Sequence, residues 1–275
     1  MGALVDELYV VARRVMLDAL EALSDHRESV IVVGAQALYL QVGDSELAIA
    51  PFTTDCDLAL DPATLPELPP LELVLERAEF RGEGKAGIGI WFAKHPTPQH
   101  PDLTVQLDIL VPQSVSPGKG RRAARLPGHS ETAARLVRGL DGVVVDHDWM
   151  TIGALDSTDR RSLRAKVAGP AALLVAKLHK IRERLGTDRS TDKDALDVFR
   201  LIRALPAATV AERLSRLKAD PRSEEAHDRA LVMFRDLFHR GGEGTSMVIR
   251  SLGGMMDEDE VRLSCELIMV EILLG

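Results

Sequence analysis

The sequence predicts an α/β core with a mixed sheet, followed by a C-terminal helical bundle. Up to about residue 167, short apolar stretches typical of strands alternate with polar turns and helical segments. From Pro170 onward the apolar residues recur with helical spacing only. We therefore expect two domains, a core that includes an N-terminal helix at residues 1–167 and a helical domain at residues 168–275.

Strands of the core are expected where apolar residues run together or alternate with polar ones. These stretches are residues 30–33, 56–60, 88–93, 103–111, 143–145 and 150–154. The Pro-rich segment 95–101 is expected to be a loop, because Pro cannot donate to a strand ladder. Core helices are expected where the apolar spacing is helical, at residues 4–23, 70–77 and 130–139.

The helical domain begins with a recognisable helix start. Pro170 follows Gly169, and Pro is favoured in the first turn of a helix, where its missing N–H group is not needed. Helices are expected at residues 170–184, 191–205, 207–219, 223–240 and 257–274.

Composition is that of an ordinary globular protein. The 275 residues are 45% hydrophobic, 28% charged and only 4% aromatic, so the core is expected to be aliphatic. The formal net charge of -8 argues against broad, sequence-independent nucleic-acid binding. There is no apolar run long enough to span a membrane and no secretion signal, and two cysteines, Cys56 and Cys265, cannot form a disulfide framework. We therefore expect a cytoplasmic protein without a membrane span.

A strand-to-helix turn near the N-terminus predicts a phosphate-binding element. The apolar run 30–33 is typical of a buried strand, and Gly34 allows the backbone to turn sharply into a helix that begins with Ala35 and Gln36. Backbone N–H groups at a helix start can face a phosphate, because they are unpaired and lie at the positive end of the helix dipole.

Three carboxylates predict a metal site close to that turn. Asp55 and Asp57 are two residues apart in the strand at 56–60, so the period of two places both on one face. Their mutual repulsion would be relieved by a divalent cation, and Mg²⁺ is typically bound by a pair of carboxylates with phosphate oxygens and water. Asp108, on the strand at 103–111, is the candidate for a third acid. Each pattern alone also occurs in proteins without such a site.

Together and in this order, the turn and the three acids resemble the nucleotidyltransferase superfamily. The C-terminal half narrows the resemblance, because Lys177 on the helix at 170–184 and the pattern that begins at Lys193-Asp194 are similar to the AbiEii/MenT-like nucleotidyltransferase toxins. The resemblance implies a nucleotidyltransferase-type sheet, Mg²⁺ held by the three acids, and transfer of a nucleoside monophosphate from a nucleoside triphosphate to an acceptor hydroxyl. It implies that Lys177 contacts the triphosphate and that Asp194 supports catalysis.

The same resemblance implies partners and additional phosphate contacts. A tRNA 3′ end would be the acceptor, and a cognate antitoxin would neutralise the protein. Lys177, Lys180 and Arg184 have three-four spacing and lie along one helical stripe that we expect to bind phosphate, with Asp194 within ion-pair reach of one member.

The turn departs from the pattern of the resembling proteins. Those proteins usually carry Gly or Ser and then Ser or Thr after the first Gly, whereas this chain has Ala35 and Gln36. Backbone N–H groups can still hold a phosphate at this helix start. Thr53 or Thr54, directly before the first two acids, can supply the missing hydroxyl.

Other functions remain open at this stage. The densest basic stretch is either a clamp for RNA or nucleotide phosphates or a solvated surface, and its cations are Lys119, Arg121, Arg122, Arg125, Arg135 and Arg138. The acidic chain also fits a small cationic acceptor, as for an aminoglycoside-type nucleotidyltransferase. A non-catalytic nucleotide-binding interaction protein is the third alternative, and the altered turn is its best support.

Overall fold

The computed structural model describes residues 7–43, 53–115, 122–187 and 191–275. Within them, a mixed sheet is accompanied by helices, and the C-terminal part is helical. The predicted fold class, an α/β core with a C-terminal helical bundle, is confirmed. None of the helices in the described segments is long and apolar enough to cross a membrane.

The strands, in chain order, are β1 (Val30–Val33), β2 (Asp55–Leu60), β3 (Arg81–Gly82), β4 (Ile90–Lys94), β5 (Thr104–Pro112), β6 (Arg135–Val137), β7 (His147–Gly153) and β8 (Ser162–Ala168). The α-helices are α1 (Glu7–Ala22), α2 (Gly34–Val42), α3 (Leu71–Arg77), α4 (Pro170–Arg184), α5 (Lys193–Ala204), α6 (Ala207–Ala219), α7 (Glu224–Phe238), α8 (Glu243–Leu252) and α9 (Glu258–Leu274).

The sheet has the order β3-β4-β5-β2-β1-β8-β7, and β6 pairs with β5 off this path. β2 and β5 are parallel neighbours, as are β1 and β8 and also β5 and β6. The remaining pairs are antiparallel. This arrangement puts the chain's first two strands at the centre of the sheet.

The chain divides into two compact units. Unit 1 consists of the described residues in 1–39, 48–137 and 147–168, and it contains all eight strands named above. In unit 1, α1 contacts β2, β5 and β8. One face of β2 and β5 is fully apolar and buried, as Cys56 and Leu107 illustrate. Because successive side chains of a strand point to opposite faces, the remaining residues of β2 and β5 lie on the other face of the sheet.

Unit 2 consists of the described residues in 40–47, 138–146 and 169–275. Its first long helix, α4, begins at Pro170 as the sequence predicts. The Asp146 carboxylate accepts a hydrogen bond of 2.9 Å from the backbone N–H of Ala172 and forms an ion pair of 2.7 Å with Arg213. A carboxylate at the N-terminal end of a helix is stabilised by the helix dipole, so Asp146 has a structural role at the start of α4.

Two of the expected elements are wrong. Residues 130–139 do not form a helix, because Arg135–Val137 pairs with Leu110–Pro112 as β6 and Gly139 has a φ of 74°. Residues 143–145 do not form a strand, because Asp141–Val144 is a buried 3-10 helix in contact with α4. In both segments the apolar run is short, and tertiary contacts overrode the local preference.

Three of the named elements, β3, β8 and α8, have no predicted counterpart. β3 has only two residues, too few to show a periodic pattern. β8 lies between β1 and β7 in the sheet, although its sequence alternates Arg164 and Lys166 with small apolar residues and gave only a weak strand pattern. α8 is short and begins at Glu243 directly after two glycines, which favoured a loop.

Candidate active site

The register of β2 and β5 brings the three predicted acids together in unit 1. Asp57 pairs with Asp108, and Asp55 pairs with Gln106, in the parallel ladder. Directly paired residues of neighbouring strands project from the same face, so all three carboxylates lie on one face of the sheet. The Asp57 carboxyl group lies within hydrogen-bonding reach of the Asp108 carboxyl group, and Asp55 adds a like charge to the same cluster.

Asp108 is the most enclosed member of the cluster, with 6% of its surface exposed. Its Oδ2 atom lies 2.6 Å from the Arg135 guanidinium on β6, and its Oδ1 atom accepts a hydrogen bond of 3.0 Å from the Gln106 amide. Burial raises the pKa of Asp108 above its ordinary value, although the Arg135 charge opposes the shift. The third acid is therefore held in place by two side chains of unit 1.

Asp55 is oriented by a threonine that the sequence analysis placed near phosphate. The buried Thr53 hydroxyl donates a hydrogen bond to Asp55 Oδ1. Thr53 thus positions a carboxylate, and its only donor hydrogen is used in doing so. Thr54 is exposed and remains a candidate for phosphate contact.

Asp57 lies against the turn between β1 and α2. Gly34 has a φ of 66°, in the left-handed region, and a Cβ atom built on it would overlap Asp57 Oδ2. The turn therefore needs glycine for two reasons, backbone conformation and the close approach of a carboxylate. This contact brings the predicted phosphate-binding turn and the predicted metal site together.

Replacing Gly34 with alanine is expected to cost about 1–2 kcal/mol of unfolding free energy from left-handed strain and to displace the Asp57 carboxylate. Gly43→Ala is the matched control, because Gly43 has a φ of 56° and its Cβ would meet nothing within 4 Å. Urea unfolding should show a loss for both variants, and the loss should be larger for Gly34→Ala, which also displaces Asp57. Only Gly34→Ala should weaken divalent-ion binding, and equal ion affinity in the two variants would contradict the assigned contact.

The side chains at the start of α2 do not offer phosphate contacts. Gln36 is 1% exposed, and its Oε1 atom accepts a hydrogen bond of 2.9 Å from Arg13 Nε on α1. The Arg13 guanidinium also donates to the Gly153 carbonyl and to the Tyr9 hydroxyl. Gln36 therefore joins α2 to α1, and Ala35 has no polar side chain. The turn can therefore present its backbone N–H groups to an anion.

The donor atoms of the cluster fit a hard divalent cation only in part. Within the described residues, no set of three His, Cys, Asp or Glu side chains is arranged to hold a metal ion by itself. Asp108 is engaged by Arg135, which leaves Asp55 and Asp57 as the carboxylate pair. Mg²⁺ commonly uses one or two carboxylates and takes its other ligands from substrate phosphates and water. Asp55 and Asp57 fit that requirement.

The predicted cationic stripe of α4 in unit 2 surrounds a carboxylate. Lys177 Nζ lies 2.8 Å from Asp194 Oδ1 and 2.7 Å from Asp197 Oδ2, and it is only 6% exposed. Lys180 Nζ and Arg184 lie 3.3 Å and 3.5 Å from the oxygens of Asp194. All three members of the stripe therefore contact Asp194.

The charges in this network hold each other ionised. Burial acts to raise the pKa of Asp194, but the charges of Lys177, Lys180 and Arg184 outweigh it and lower the pKa. Burial likewise acts to lower the pKa of Lys177, but Asp197 and Asp194 raise it above the ordinary lysine value. Lys177 is thus a buried partner of two carboxylates, whereas Lys180 and Arg184 keep partial solvent exposure.

The basic stretch separates into different environments. Lys119 and Arg121 lie outside the described residues. Arg122 and Arg125 are exposed, whereas Arg135 pairs with Asp108. Among the described cations of this stretch, Arg135 therefore serves a carboxylate, and the exposed Arg122 and Arg125 remain candidates for a phosphate contact.

Sequence reasoning did not assign a supporting role to four residues of the clusters, and it named Arg135 only as a cation of the basic stretch. Gln106 and Arg135 hold Asp108, Arg13 holds Gln36, and Asp197 is the second partner of Lys177. The alternation of Gln106 with Asp108 on β5 was an available clue for the first of these. The other three depend on strand or helix pairing that no local pattern specifies.

Comparisons with known proteins yield only remote similarities. No family model matches the chain, and no curated protein matches it. An antigenic nucleotidyltransferase-like protein from Paracoccidioides brasiliensis is similar in structure with a TM-score of 0.44 and 18% identity, over 82% of this chain and 93% of that chain. The antibiotic-resistance factor ANT(2'')-Ia has a TM-score of 0.40 and 14% identity, over 80% of this chain and 97% of that chain. Function is therefore argued from the residues of the site.

Proposed function

We propose that this protein is a Mg²⁺-dependent nucleotidyltransferase that moves a nucleoside monophosphate from a nucleoside triphosphate to an acceptor hydroxyl. The observation that carries the proposal is the cluster of Asp55, Asp57 and Asp108 on one face of two adjacent strands, with Asp57 against the Gly34 turn. Neighbouring carboxylates repel each other unless a cation or a proton relieves the repulsion, and Arg135 serves only Asp108. An anion-binding helix start beside it supplies the second half of a nucleotide site.

Each residue has a definite role in the proposal. Asp55, oriented by Thr53, and Asp57 would hold Mg²⁺ beside the phosphates of the nucleotide. The bound ion supplies charge neutralisation on the phosphates. The backbone N–H groups of Gly34 and Ala35 contact a phosphate. Asp108, fixed by Arg135, orients the attacking hydroxyl and accepts its proton.

In unit 2 we assign phosphate contact by the cationic stripe to Lys180 and Arg184. Their charges are partly exposed, with side-chain exposures of 43% and 28%. The Lys177 ammonium would have to leave two buried carboxylates to reach a phosphate. We therefore assign Lys177 and Asp194 the role of positioning residues that hold α4 and α5 together. Membership of the AbiEii/MenT-like branch is supported only by the sequence pattern of these two residues.

An RNA acceptor, such as a tRNA 3′ end, is supported by an aromatic residue on the carboxylate face of the sheet. Trp149 on β7 is 36% exposed, and the charges of Arg164 and Lys166 lie 5.5 Å and 5.6 Å from its ring. Lys166 pairs with Trp149 and with Ile31, and Ile31 pairs with Ala59, two residues from Asp57. The exposed part of the ring can stack a base, and the two cations beside it attract phosphates.

The test is a pyrophosphate-release assay with full-length protein, Mg²⁺ and each of the four nucleoside triphosphates. Bulk tRNA with intact 3′ ends and an aminoglycoside are compared as acceptors, and periodate-oxidised tRNA is the matched control that lacks the acceptor hydroxyl. We expect release with intact tRNA only, and a weaker response in Trp149→Ala. Release with the aminoglycoside instead would select the small-molecule enzyme. Nucleotide binding without release under any condition would favour a non-catalytic nucleotide-binding protein.

The motif similarity to the AbiEii/MenT-like toxins is also our reason for proposing a cognate antitoxin that neutralises the protein. We predict that expression of the wild-type protein arrests growth and that expression of the Asp57→Asn variant does not arrest growth. Growth arrest that persists in Asp57→Asn would separate toxicity from transfer and count against this part of the proposal.

A further inference from the structure

The last helix of unit 2 has an apolar stripe that is exposed along its whole length. On α9, Leu263, Leu267, Val270 and Leu274 are 45%, 58%, 41% and 82% exposed. Their spacing of four, three and four residues is that of the a and d positions of a heptad repeat, so they lie in one line on the helix.

The opposite side of α9 already has its partners. Val261, Cys265, Met269 and Ile272 are buried, and α9 contacts α5, α6, α7 and α8 of the same unit. Packing within unit 2 therefore accounts for one face of the helix only. The exposed stripe is a second apolar face of α9, and contiguous exposed apolar surface of this kind marks interaction sites.

The charged residues that border the stripe are all acidic. With Leu267 and Leu274 as a positions, the flanking g positions are Asp259, Glu266 and Leu273, and the e positions are Ser264 and Glu271. No Lys or Arg occupies any of these flanking positions. Residues at e and g set the partner and the orientation in helix pairs, because they form the charge contacts beside the apolar seam.

Charge argues against the other possible occupants of this face. In a parallel pair of two copies, Glu266 of one copy would lie opposite Glu271 of the other, and an antiparallel pair also brings acid against acid. Anionic lipid surfaces are repelled for the same reason. A helix with basic e and g residues would complement both borders.

We propose that the α9 stripe is a docking site for an amphipathic helix of another protein, with aliphatic residues at a and d and Lys or Arg at e and g. Helix-in-groove and helix-pair recognition both use apolar anchors at this spacing, with charge complementarity for specificity. The site needs neither nucleotide nor metal, so it is independent of the transferase assignment.

The experiment uses full-length protein and two fluorescein-labelled synthetic peptides of about three heptads. Both carry Leu at a and d, and one has Lys and the other Glu at every e and g position. Fluorescence anisotropy should show saturable binding of the Lys peptide, weakened by salt, and at least about tenfold weaker binding of the Glu peptide.

Two variants test the stripe and its borders. Leu263→Gln with Leu267→Gln should abolish binding, whereas Leu73→Gln, an exposed leucine on α3 of unit 1, should leave it unchanged. Glu266→Lys with Glu271→Lys should transfer the preference to the Glu peptide. Circular dichroism should show that all variants keep their helix content, because the replaced side chains are wholly or partly exposed.

Several results would overturn the proposal. These are no binding of either peptide, equal binding of both, or binding that survives the double glutamine variant. A concentration-dependent dimer in sedimentation equilibrium that the double glutamine variant loses would assign the face to a second copy of this chain. Binding to vesicles of anionic lipid in place of the Lys peptide would assign it to a membrane surface.

Discussion

Replacing Asp57 with asparagine is expected to lower the rate of nucleotidyl transfer by about 10³-fold or more, since a bound metal supplies several kcal/mol of charge stabilisation and each 1.4 kcal/mol is a factor of ten. Asp57 is central to the cluster, because it pairs with Asp108, shares a face with Asp55 and lies against Gly34. The measurement is pyrophosphate release at saturating nucleotide, with Mg²⁺ affinity followed separately by calorimetry.

The same replacement is not expected to destabilise the fold. It removes one of three neighbouring negative charges, so the urea midpoint should stay equal or rise, as is common when a functional site loses its strain. Asp102→Asn, at an exposed position shortly before β5, is the matched control and should retain full activity. Activity and Mg²⁺ affinity that survive in Asp57→Asn would show that the metal and catalytic assignments are wrong.

Replacing Lys177 with methionine is expected to lower the unfolding free energy of unit 2 by about 3–5 kcal/mol, the usual cost of leaving buried charges without their partner. The variant would remove the nearest cation from the carboxylates of Asp194 and Asp197, which are 3% and 0% exposed. The remaining cations, Arg200 beside Asp197 at 3.6 Å and Lys180 and Arg184 beside Asp194 at 3.3 Å and 3.5 Å, are more distant than Lys177 and compensate the loss only in part. Urea unfolding followed by circular dichroism measures the loss.

Two companion variants separate charge from packing at this position. Lys180→Met should cost less than about 1 kcal/mol, because the Lys180 ammonium is 3.3 Å from Asp194 but largely solvated. Lys177→Met combined with Asp194→Asn and Asp197→Asn should recover part of the lost stability, since no buried charge is then left unpaired. A single Lys177→Met variant as stable as the wild type would contradict the structural role of the ion pairs.

The pKa shifts set the pH range over which this network stabilises the protein. The pKa of Asp194 is lowered, so its contribution is present above the ordinary value of 3.8 and is lost as the pH falls through the lower folded value. The pKa of Lys177 is raised, so its contribution is present below the ordinary value of 10.5 and is lost only at more alkaline pH. The network therefore contributes fully across the neutral range.

Local sequence patterns were sufficient for the strongly periodic elements and for the identity of the candidate acids. The start of α4 at Pro170 follows from the chemistry of a helix end, and the common face of Asp55 and Asp57 follows from the period of a strand. Local patterns were insufficient for short segments whose conformation depends on the strand or helix that lies beside them. Arg135–Val137 became a strand because β5 offered it a ladder, and residues 141–144 became a 3-10 turn against α4.

The sequence by itself determined the α/β core, the helical C-terminal part and the set of acids that a metal site needs, because these depend on periodicity and side-chain chemistry within a few residues. Only the tertiary structure decided what each polar side chain touches. Lys177 was expected to contact a phosphate and is enclosed by two carboxylates. The Gln36 side chain, at the turn whose backbone N–H groups were expected to hold a phosphate, accepts a hydrogen bond from Arg13. A side chain's partner depends on which distant strand or helix lies beside it, and that is a property of packing that no local spacing contains.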